Sequence, residues 1–250
     1  MRLFSFVLAS ALAFAVPVAA QDRSFNFALG AGIGLGPEYL GSDSYEGAVF
    51  PTFTFGSLKW GALDIGNGVR NAPDNGFSVN GAFRVLGDRT TEDSPELVGL
   101  DDIDIAVELG VGVSYQETNW MVFGEVRKGV TGHSGVTGTI GSDFITRPGD
   151  RWKFTMGPRV NFGDDEFADT YFGVATPTAN FGSFNASGGA LSAGVLLTGS
   201  YYINDKWSLD GGISYEKLLG DAADSPITVA GSEDQWRIAI GVSRIFNLNF

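Results

Sequence analysis

Apolar and polar residues alternate along most of this chain, and the clearest example is residues 102–115, DIDIAVELGVGVSY. Every odd position in that run holds Ile, Val, Leu or Tyr, whereas the even positions hold Asp, Glu, Ala, Gly or Ser. A period of two predicts a β-strand that has one apolar face and one polar face. This strand would be more than twice as long as a usual strand of about 5 or 6 residues.

The same alternation recurs in ten other segments, so the sequence predicts eleven strands. They lie near residues 25–35, 47–56, 58–65, 77–85, 102–115, 120–130, 136–144, 152–162, 191–201, 207–215 and 236–242. Turns and glycine-rich connections separate them, as expected for an antiparallel all-β protein.

Ionisable residues on the polar faces decide which kind of β-protein this is. Seven acids and five bases fall there: Arg84, Asp102, Asp104, Glu108, Glu125, Arg127, Asp143, Lys153, Arg159, Asp210, Glu216 and Arg237. So many charges would be costly in the dry core of a soluble sandwich, but they are ordinary in a wet lumen. The sequence therefore predicts a transmembrane antiparallel β-barrel with apolar residues facing lipid, short periplasmic turns and longer extracellular loops.

The number of strands follows from which side of the membrane each connection faces. Counting back from a periplasmic C-terminus places connections 87–100, 163–188 and 219–234 outside the cell. Counting forward from a periplasmic N-terminus places residues 36–46 there, and the two counts disagree by one strand. Since bacterial single-chain barrels have an even number of strands, we predict a twelfth strand between residues 56 and 76.

Aromatic residues on the lipid-facing parity lie beside the short turns, which is typical of a girdle at the membrane interface. The chain also ends with aromatic and apolar residues on one parity, which resembles the C-terminal signal that the barrel-assembly machinery recognises in outer-membrane proteins. The girdle and terminal residues are Tyr115, Trp120, Trp152, Tyr201, Trp207, Phe246, Leu248 and Phe250. We therefore predict the outer membrane of a Gram-negative bacterium as the location.

The N-terminal segment predicts export. Arg2 precedes an apolar run that ends in small residues at positions 18–20, which is typical of a cleaved signal peptide. We assign residues 1–20 to this signal and residues 21–250 to a single barrel domain. The chain contains no cysteine and has a formal net charge of −13, so neither a disulfide scaffold nor a nucleic-acid partner is expected.

The chemistry of known enzymes is poorly represented. Outer-membrane hydrolases use a histidine with serine or aspartate, and the single histidine here is His133, followed directly by Ser134. Neighbouring strand residues point to opposite faces, so we interpret His133 as a surface-loop residue at the extracellular rim. The glycines of residues 30–36 are interpreted as small lumen residues rather than a phosphate loop. No catalytic residue and no cofactor is predicted.

Three motifs carry a family resemblance: GPEYLGSD at 36–43, YFGV at 171–174 and LLGDAADSPI at 218–227. In this order and spacing they resemble the MipA/OmpV family of outer-membrane proteins, named partly for a member that interacts with the lytic transglycosylase MltA. The resemblance implies a β-barrel without known catalysis. It also implies roles that differ between members, from a scaffold for murein hydrolases and synthases to osmotic or antibiotic responses.

The predicted function is accordingly that of a structural or interaction protein of the cell envelope, with periplasmic murein enzymes as candidate partners. A narrow channel for small solutes or ions is the alternative, because the lumen charges can either pair and block the bore or line a constriction. An outer-membrane hydrolase is a distant third. Lipid and lipopolysaccharide are the other expected partners; Lys128 and Arg244 lie on the lipid parity, where snorkelling to headgroups accounts for them.

Pairing of the first and last strands would bring two of the motif loops together at the extracellular mouth. Their residues are Gly36, Pro37, Glu38, Tyr39 and Asp43 on one side, and Asp221, Asp224, Ser225 and Pro226 on the other. We hypothesise a cap over the mouth, with Glu38, Asp221 and Asp224 as candidate ligands of Ca²⁺ or Mg²⁺. The alternative is that these acids only cap turns and accept hydrogen bonds from backbone amides.

Overall fold

The computed structural model describes residues 23–61, 63–66, 68–69, 75–92 and 94–250. The predicted signal peptide therefore lies outside the described residues. Within them the chain is all-β, with ten long antiparallel strands and one strand of three residues. No helix in this described part has the length and apolar character to cross a membrane.

The elements follow one another in a simple order. The strands are β1 (Ser24–Pro37), β2 (Tyr45–Trp60), β3 (Leu63–Ile65), β4 (Gly76–Leu86), β5 (Ala106–Gln116), β6 (Trp120–Thr131), β7 (Val136–Thr146), β8 (Trp152–Gly163), β9 (Gly189–Tyr202), β10 (Trp207–Leu218) and β11 (Asp234–Asn249). The helices are α1 (Asp165–Phe172), α2 (Asp221–Asp224) and α3 (Pro226–Ala230), and Pro95–Leu97 forms a 3₁₀ turn.

The strands form a nearly closed barrel with the spatial order β3-β2-β1-β11-β10-β9-β8-β7-β6-β5-β4. The first and last strands pair as expected, with Phe27 directly opposite Phe246. Between β2 and β4 the sheet is not laddered, and the backbone N–H of Gly66 bridges to the carbonyl of Val79 at 3.0 Å. The start of β1, the end of β11 and the short turns lie at one end of the barrel, which we call the turn end. The long loops lie at the other end, the loop end.

The prediction of twelve strands is wrong, because residues 45–60 form one strand rather than two. Asn26 pairs with Ser57 while Phe27 pairs with Phe55, so Gly56 is an extra residue in a β-bulge. A bulge shifts the alternation by one position, so one strand resembled two in the sequence. Among the described residues of the 56–76 segment, only the three-residue β3 replaces the predicted twelfth strand. Ten long strands already satisfy the even-number rule.

The predicted strand over residues 102–115 is correct only from Ala106 onward. Ile103 lies in a loop and forms an isolated bridge with Arg89, and the Oδ1 atom of Asp102 accepts a hydrogen bond from the Thr91 amide at 2.8 Å. Asp102 and Asp104 are exposed loop residues. Their assignment to the lumen is therefore wrong: the alternation continues past the end of the strand because a loop folded over the barrel also has an inner and an outer side.

The outer surface is apolar, as the alternation predicts. Ile33, Val111, Ile140 and Phe144 are each at least half exposed in the isolated chain. Such a belt would be unfavourable in water but suits a hydrocarbon solvent.

The loop end is covered by a folded cap with its own core. α1 supplies Phe167, Ala168, Tyr171 and Phe172, which lie on one face of the helix, and Asp164 caps its N-terminus by accepting from the Phe167 amide at 2.9 Å. These residues pack with residues of α2, β9 and β10, while a second cluster joins the 38–44, 94–100 and 174–184 segments to α3. The cap positions the site described next.

Candidate functional site at the capped mouth

A buried carboxylate, Glu108, lies at the centre of the polar residues beneath the cap. It faces the lumen from β5, directly opposite Arg84 of β4. The Nε and Nη2 atoms of Arg84 contact the two carboxylate oxygens at 2.8 and 2.6 Å, which is the bidentate geometry favoured by arginine. Arg127 of β6 approaches from the other side, with its Nε atom 3.0 Å from Oε2. The Glu108 side chain is 0% exposed.

His133 and Thr137 complete this cluster. The Nε2 atom of His133 lies 3.1 Å from Glu108 Oε1, and the Thr137 hydroxyl donates to Oε2 at 3.0 Å. The rings of Phe167 and Tyr171 cover the imidazole, with centroids 5.0 and 5.6 Å away. The interpretation of His133 as a surface-loop residue is therefore wrong: the short loop 132–135 curls inward over the rim, and α1 covers it.

The hydrogen bonds define the protonation state of His133. Its Nδ1 atom accepts a hydrogen bond from the Gly135 amide at 3.1 Å, so Nε2 carries the proton that is donated to Glu108. Burial lowers the pKa of His133, against the opposing influence of Glu108. The Ser134 hydroxyl points elsewhere and bonds to Glu166. The sequence neighbours His133 and Ser134 thus do not act as a pair.

The polar contacts continue from this cluster around the inside of the barrel. Arg127 donates to Thr139 at 2.9 Å, Thr139 to Asn161 at 2.9 Å, and Asn161 to Glu216 at 3.3 Å. Arg237 contacts the same Glu216 at 3.9 Å. This polar belt connects β6 to β11 across the inner wall. Opposite charges within it neutralise one another.

The structure groups the predicted lumen charges unevenly. Arg84, Glu108, Glu125 and Arg127 form one contiguous cluster, since Arg127 also contacts Glu125. Other predicted residues lie apart from it: Lys153 faces the lumen from β8, Asp210 accepts from Ser208 at 2.8 Å, and Arg237 belongs to the far end of the belt.

Arg159 and Asp143 form a separate ion pair, in which the Nη2 atom of Arg159 donates to both carboxylate oxygens, at 2.8 and 3.0 Å. Pro158 precedes the arginine on β8, and a proline cannot donate to the ladder. The Nη1 atom of Arg159 instead donates to the Ser142 carbonyl at 3.0 Å. This arginine therefore repairs a gap in the β7–β8 ladder while it neutralises an acid of the lumen.

The two motif loops meet in the cap. The carbonyl of Gly41 accepts from the Ser232 amide at 2.8 Å, and its amide donates to Gln235 at 3.3 Å. Gly41 has φ of +96°, and a Cβ atom there would lie 2.7 Å from the Thr228 hydroxyl, so only glycine suits this contact. Gly36 and Pro37 end β1, and Pro226 begins α3.

Two of the motif acids, Glu38 and Asp221, accept hydrogen bonds from protein donors. Glu38 accepts from the Ser94 hydroxyl at 2.8 Å, and Asp221 accepts from the Ser187 amide at 2.8 Å. Asp224 lies at the end of α2, and Ser225 donates to the Phe172 carbonyl at 2.6 Å. In the described part of the chain no group of three His, Cys, Asp or Glu residues is placed to hold a metal ion. Glu38, Asp221 and Asp224 are therefore not assembled as a ligand set.

Two aromatic hydroxyls of the cap are strongly affected by burial. Tyr39 donates to Glu96 at 3.1 Å, and burial together with that carboxylate raises the pKa of Tyr39 to about 12. Burial likewise raises the pKa of Tyr171 to about 12. Both side chains are thus neutral at physiological pH.

Arg89 is an important cap residue that sequence reasoning missed. It is 7% exposed, donates from Nη1 to the Tyr171 carbonyl at 2.9 Å, and donates from Nη2 to the Asp101 carbonyl at 3.3 Å. A cation at the C-terminal end of α1 complements the helix dipole. The available sequence signal was that Arg89 is the only base in the strongly acidic segment 87–105.

The turn end of the bore is also occupied. The Val69 amide donates to Asn26 at 2.8 Å, and the Tyr202 hydroxyl donates to the Val69 carbonyl at 3.2 Å. Val69 also packs on the buried inward residues Ala28, Tyr202 and Ile245. This short segment therefore sits inside the turn end of the barrel.

Aromatic residues surround the same end on the outside. Trp152 packs on Tyr201 at 4.7 Å between ring centroids, and Tyr115 packs on Trp120 at 5.7 Å. Arg244 lies over the Trp207 ring at 5.7 Å. An arginine among interfacial aromatics fits a membrane–water boundary at this level. Lys128, toward the other end, bonds to the Ser134 carbonyl.

A barrel of antiparallel strands with an apolar outer belt, an aromatic girdle beside short turns and a charged interior is an outer-membrane β-barrel. The family model described as "MltA-interacting protein MipA" matches residues 29–246, most of the chain. The protein belongs to this family, which confirms the resemblance found in the motifs. It resides in the outer membrane.

Comparisons of structure give distant similarities. The chain resembles Neisserial surface protein A at 10% identity and a TM-score of 0.30, covering 88% of this chain and 96% of that one. It resembles OprG of Pseudomonas aeruginosa at 10% identity and a TM-score of 0.25, covering 90% of this chain and 97% of that one. It resembles the toluene transporter TbuX of Ralstonia pickettii at 10% identity and a TM-score of 0.31, covering 92% of this chain and 90% of that one. No curated protein matches the sequence.

Proposed function

We propose that this protein is a non-enzymatic interaction protein of the cell envelope, whose barrel anchors a periplasmic docking surface for a murein-processing enzyme. The observation that carries the proposal is that a folded cap covers the loop end of the bore. α1 and its neighbours form this cap, and at the turn end Val69 packs on the inner wall against Ala28, Tyr202 and Ile245. A barrel closed in this way is suited to presenting surfaces rather than to conducting solutes.

The chemistry of the interior supports the same proposal. Glu108 is surrounded by Arg84, Arg127, His133 and Thr137, so each of its oxygens is already bonded. The histidine that a hydrolase would need is buried and points its proton at this carboxylate. The cluster thus serves to hold the cap on the barrel, and it offers no free base for hydrolysis.

The turn end supplies the docking surface. The family is named for an interaction with MltA, and a murein enzyme could approach this barrel only from the periplasm. The turns 117–119, 147–151 and 203–206 lie around one rim, and Asn119 and Asp205 are exposed there. A stable interface buries about 800 Å² on each partner. No single turn offers that area, so the proposed surface uses several turns of the rim together.

Site-specific cross-linking tests this docking surface. The chain has no cysteine, so Asn119→Cys and Asp205→Cys each introduce a single thiol for a photoactivated cross-linker. With the refolded full chain and a purified MltA-type transglycosylase, we expect a cross-linked product from both positions. Val229→Cys is the matched control, because Val229 is 73% exposed on the cap at the opposite end. Absence of product from both turn positions, or equal product from the control, would contradict the proposal.

A further inference from the structure

The lipid-facing wall formed by β8 to β11 contains a gap where two glycines lie side by side. Gly199 of β9 is directly opposite Gly211 of β10, and both fall on the outward parity of their strands. In the same row, Phe154 of β8 is opposite Gly199, and Ile240 of β11 is opposite Gly211. The Phe154 ring covers part of Gly199, where an added Cβ atom would lie 3.0 Å from it. A Cβ atom on Gly211 would meet the Ala239 carbonyl at 3.4 Å, so Gly211 is the open floor of the gap.

This gap forms an apolar groove with a volume of about 280 Å³. Leu197 and Ile213, which are opposite each other in the β9–β10 ladder, form its wall toward the loop end. Tyr201 and Leu209, also opposite each other, form its wall toward the turn end. The groove is therefore a recess of the outer surface, and it lies within the apolar belt.

A second groove, of about 730 Å³, continues from the first across β11 and β1 to β2. The two grooves share Gly211, Ile213 and Ile240. The second is lined on its outward side by Ile33 and Val49, which are opposite each other in the β1–β2 ladder. An empty recess forfeits the dispersion contacts of the atoms that line it. In a bilayer the group available to fill both grooves is an acyl chain.

A cation lies at the turn end of the same strands. Arg244 of β11 is paired with Trp207 of β10, and its guanidinium lies over that ring. Lys206 comes just before Trp207, and its carbonyl accepts from the Ile245 amide at 2.8 Å. Four residues separate Arg244 from Ile240, so about 13 Å of β11 lies between the cation and the groove. The ring of Trp207 neutralises no charge, so this position favours a group with a net negative charge.

Another arginine at the turn end shows that a cation beside an aromatic ring does not by itself imply a groove. Arg23 lies over the Trp60 ring at 4.4 Å. The outer wall above it is filled by phenylalanines: Phe25 stacks on Phe27 at 4.6 Å between centroids, and Phe27 meets Phe53 at 6.3 Å. The β8–β11 wall differs, because glycines leave the space that rings fill on the β1–β2 wall.

The opposite end of the β8–β11 wall does not favour an anionic headgroup. Lys217 is paired with Glu233 at 3.4 Å, and the Tyr215 hydroxyl donates to Asp234 at 2.6 Å. Carboxylates at this level would repel an approaching phosphate. A lipid that fills the groove is therefore held by its headgroup at the turn end.

We propose that the β8–β11 wall binds one anionic phospholipid, whose phosphate contacts Arg244 and whose acyl chain lies in the groove floored by Gly211. The lipid belongs to the leaflet at the turn end, which is the periplasmic leaflet in the orientation of the proposed function. The site goes beyond that function, because its ligand is a lipid and it lies on the outer wall instead of the rim.

Competition between two phospholipids tests the headgroup contact. The refolded chain in a non-ionic detergent is mixed with equal amounts of dioleoyl phosphatidylglycerol and dioleoyl phosphatidylcholine, and native mass spectrometry counts the lipids retained. We expect one phosphatidylglycerol to be retained in preference to phosphatidylcholine. Arg244→Met should lower this preference by about fivefold, the effect of one basic residue near an anionic surface. Arg23→Met is the matched control and should leave the preference unchanged.

Filling the groove tests the acyl-chain contact. Gly211→Leu places a side chain on the open floor, and we expect retention of both lipids to fall because their acyl chains are identical. The matched control is Gly124→Leu on β6, a lipid-facing glycine with no atom within 4 Å of an added Cβ atom. It should retain lipid as the native chain does. Heat-modifiability on gels confirms folding of each variant, and the Arg244→Met comparison stands even if Gly211→Leu folds poorly.

The lipid site would be overturned by equal retention of the two lipids by the native chain, or by an unchanged preference in Arg244→Met. It would also be overturned if Arg23→Met lost the preference equally, or if folded Gly211→Leu retained as much lipid as Gly124→Leu. None of these measurements involves a murein enzyme. Failure of the lipid site is therefore distinguishable from failure of the periplasmic docking surface.

Discussion

At the scale of single residues, Glu108 is the group on which the closure of the mouth depends. A fully buried carboxylate is tolerated because two arginines, a histidine and a threonine donate to it. Those donors come from β4, β6, β7 and the loop 132–135, so this one side chain of β5 connects the four consecutive strands β4 to β7. The sequence placed Glu108 on a polar face, but only the fold shows that its two oxygens accept hydrogen bonds from several different parts of the chain.

Removing this charge should be costly. Glu108→Gln would leave Arg84 and Arg127 facing each other without the carboxylate, and the breaking of a buried pair typically destabilises by about 3 to 5 kcal/mol. We expect a loss of that order in urea unfolding followed by heat-modifiability. Glu233→Gln is the control: its pair with Lys217 is about half exposed and should change stability by no more than about 1 kcal/mol. Equal effects of the two changes would contradict a stabilising role of the cluster.

His133 should make the stability of the cap depend on pH. Burial lowers the pKa of this imidazole in the folded state, so the unfolded chain binds the proton more readily. The stabilisation is therefore fully present above the unfolded pKa of about 6.5 and is lost as pH falls from there toward the folded pKa. Limited proteolysis of the cap at pH 8 and below pH 6 should show greater cleavage in acid. Because the chain has one histidine, a His133→Gln variant should show a weaker change; an unchanged profile would refute the assignment.

At the scale of elements, α1 is the part that closes the mouth, and its two ends are fixed by opposite charges. Asp164 caps the N-terminus, and Arg89 bonds a carbonyl of the last turn. This arrangement satisfies backbone groups that a short helix cannot pair internally. The Arg89 contact spans 82 residues of sequence, which is why local patterns could not reveal it.

Arg89→Met tests this contact. The change keeps an apolar stem but leaves the Tyr171 carbonyl without its charged donor, and a hydrogen bond to a charged group contributes about 1.5 to 3 kcal/mol. We expect hydrogen exchange in α1 to become faster while exchange in the strands is unchanged. Arg151→Met, at an exposed turn-end position, should change hydrogen exchange neither in α1 nor in the strands. Exchange that is uniformly faster throughout the barrel would point to a general folding defect instead.

The strands themselves illustrate how far periodicity can be trusted. Alternation located ten long strands because lipid on one side and lumen on the other impose a strict period of two. It failed at Gly56, where one extra residue inverted the parity of β2, and before Ala106, where a loop mimicked a strand. Both failures arise because parity is a local signal, whereas the bulge and the strand end are fixed by pairing with neighbours.

The depth of a substitution tests which face meets lipid. Val111 lies within β5 on the outer face and is 65% exposed in the isolated chain, whereas Ile203 lies in a turn. Val111→Arg should destabilise by about 2 to 4 kcal/mol, and Ile203→Arg by no more than about 1 kcal/mol, because the cost of a charge falls toward the interface. Unfolding from phospholipid vesicles measures both. Similar values for the two variants would mean that the outer belt is not in hydrocarbon.

At the scale of the whole molecule, the barrel architecture could be predicted from the sequence, but the closure of its bore could not. Alternation and aromatic placement define a barrel, and the motif loops were expected to meet because β1 and β11 pair. What fills the bore depends on contacts between distant segments, such as Val69 with Tyr202 or Arg84 with the α1 ring of Phe167 at 5.4 Å. No period or motif encodes such contacts. The list of lumen charges alone was therefore compatible with both a channel and a closed barrel.

Conductance in planar bilayers tests the closure. The native chain should give no sustained steps, because α1 covers one end of the bore and Val69 packs on the inner wall at the other. Phe172→Asp places a charge in the cap core, where Phe172 is 1% exposed, and Asn26→Ala removes the acceptor of the Val69 amide. We expect the double variant to conduct, because both obstructions are loosened while the strands remain paired. The matched control, Val229→Asp with Asn119→Ala, makes similar replacements at exposed positions of the same two ends and should stay silent.

Defined steps from the native chain would restore the narrow channel as its function. Silence of the folded double variant would show that the polar belt around Glu108, rather than the two plugs, closes the bore.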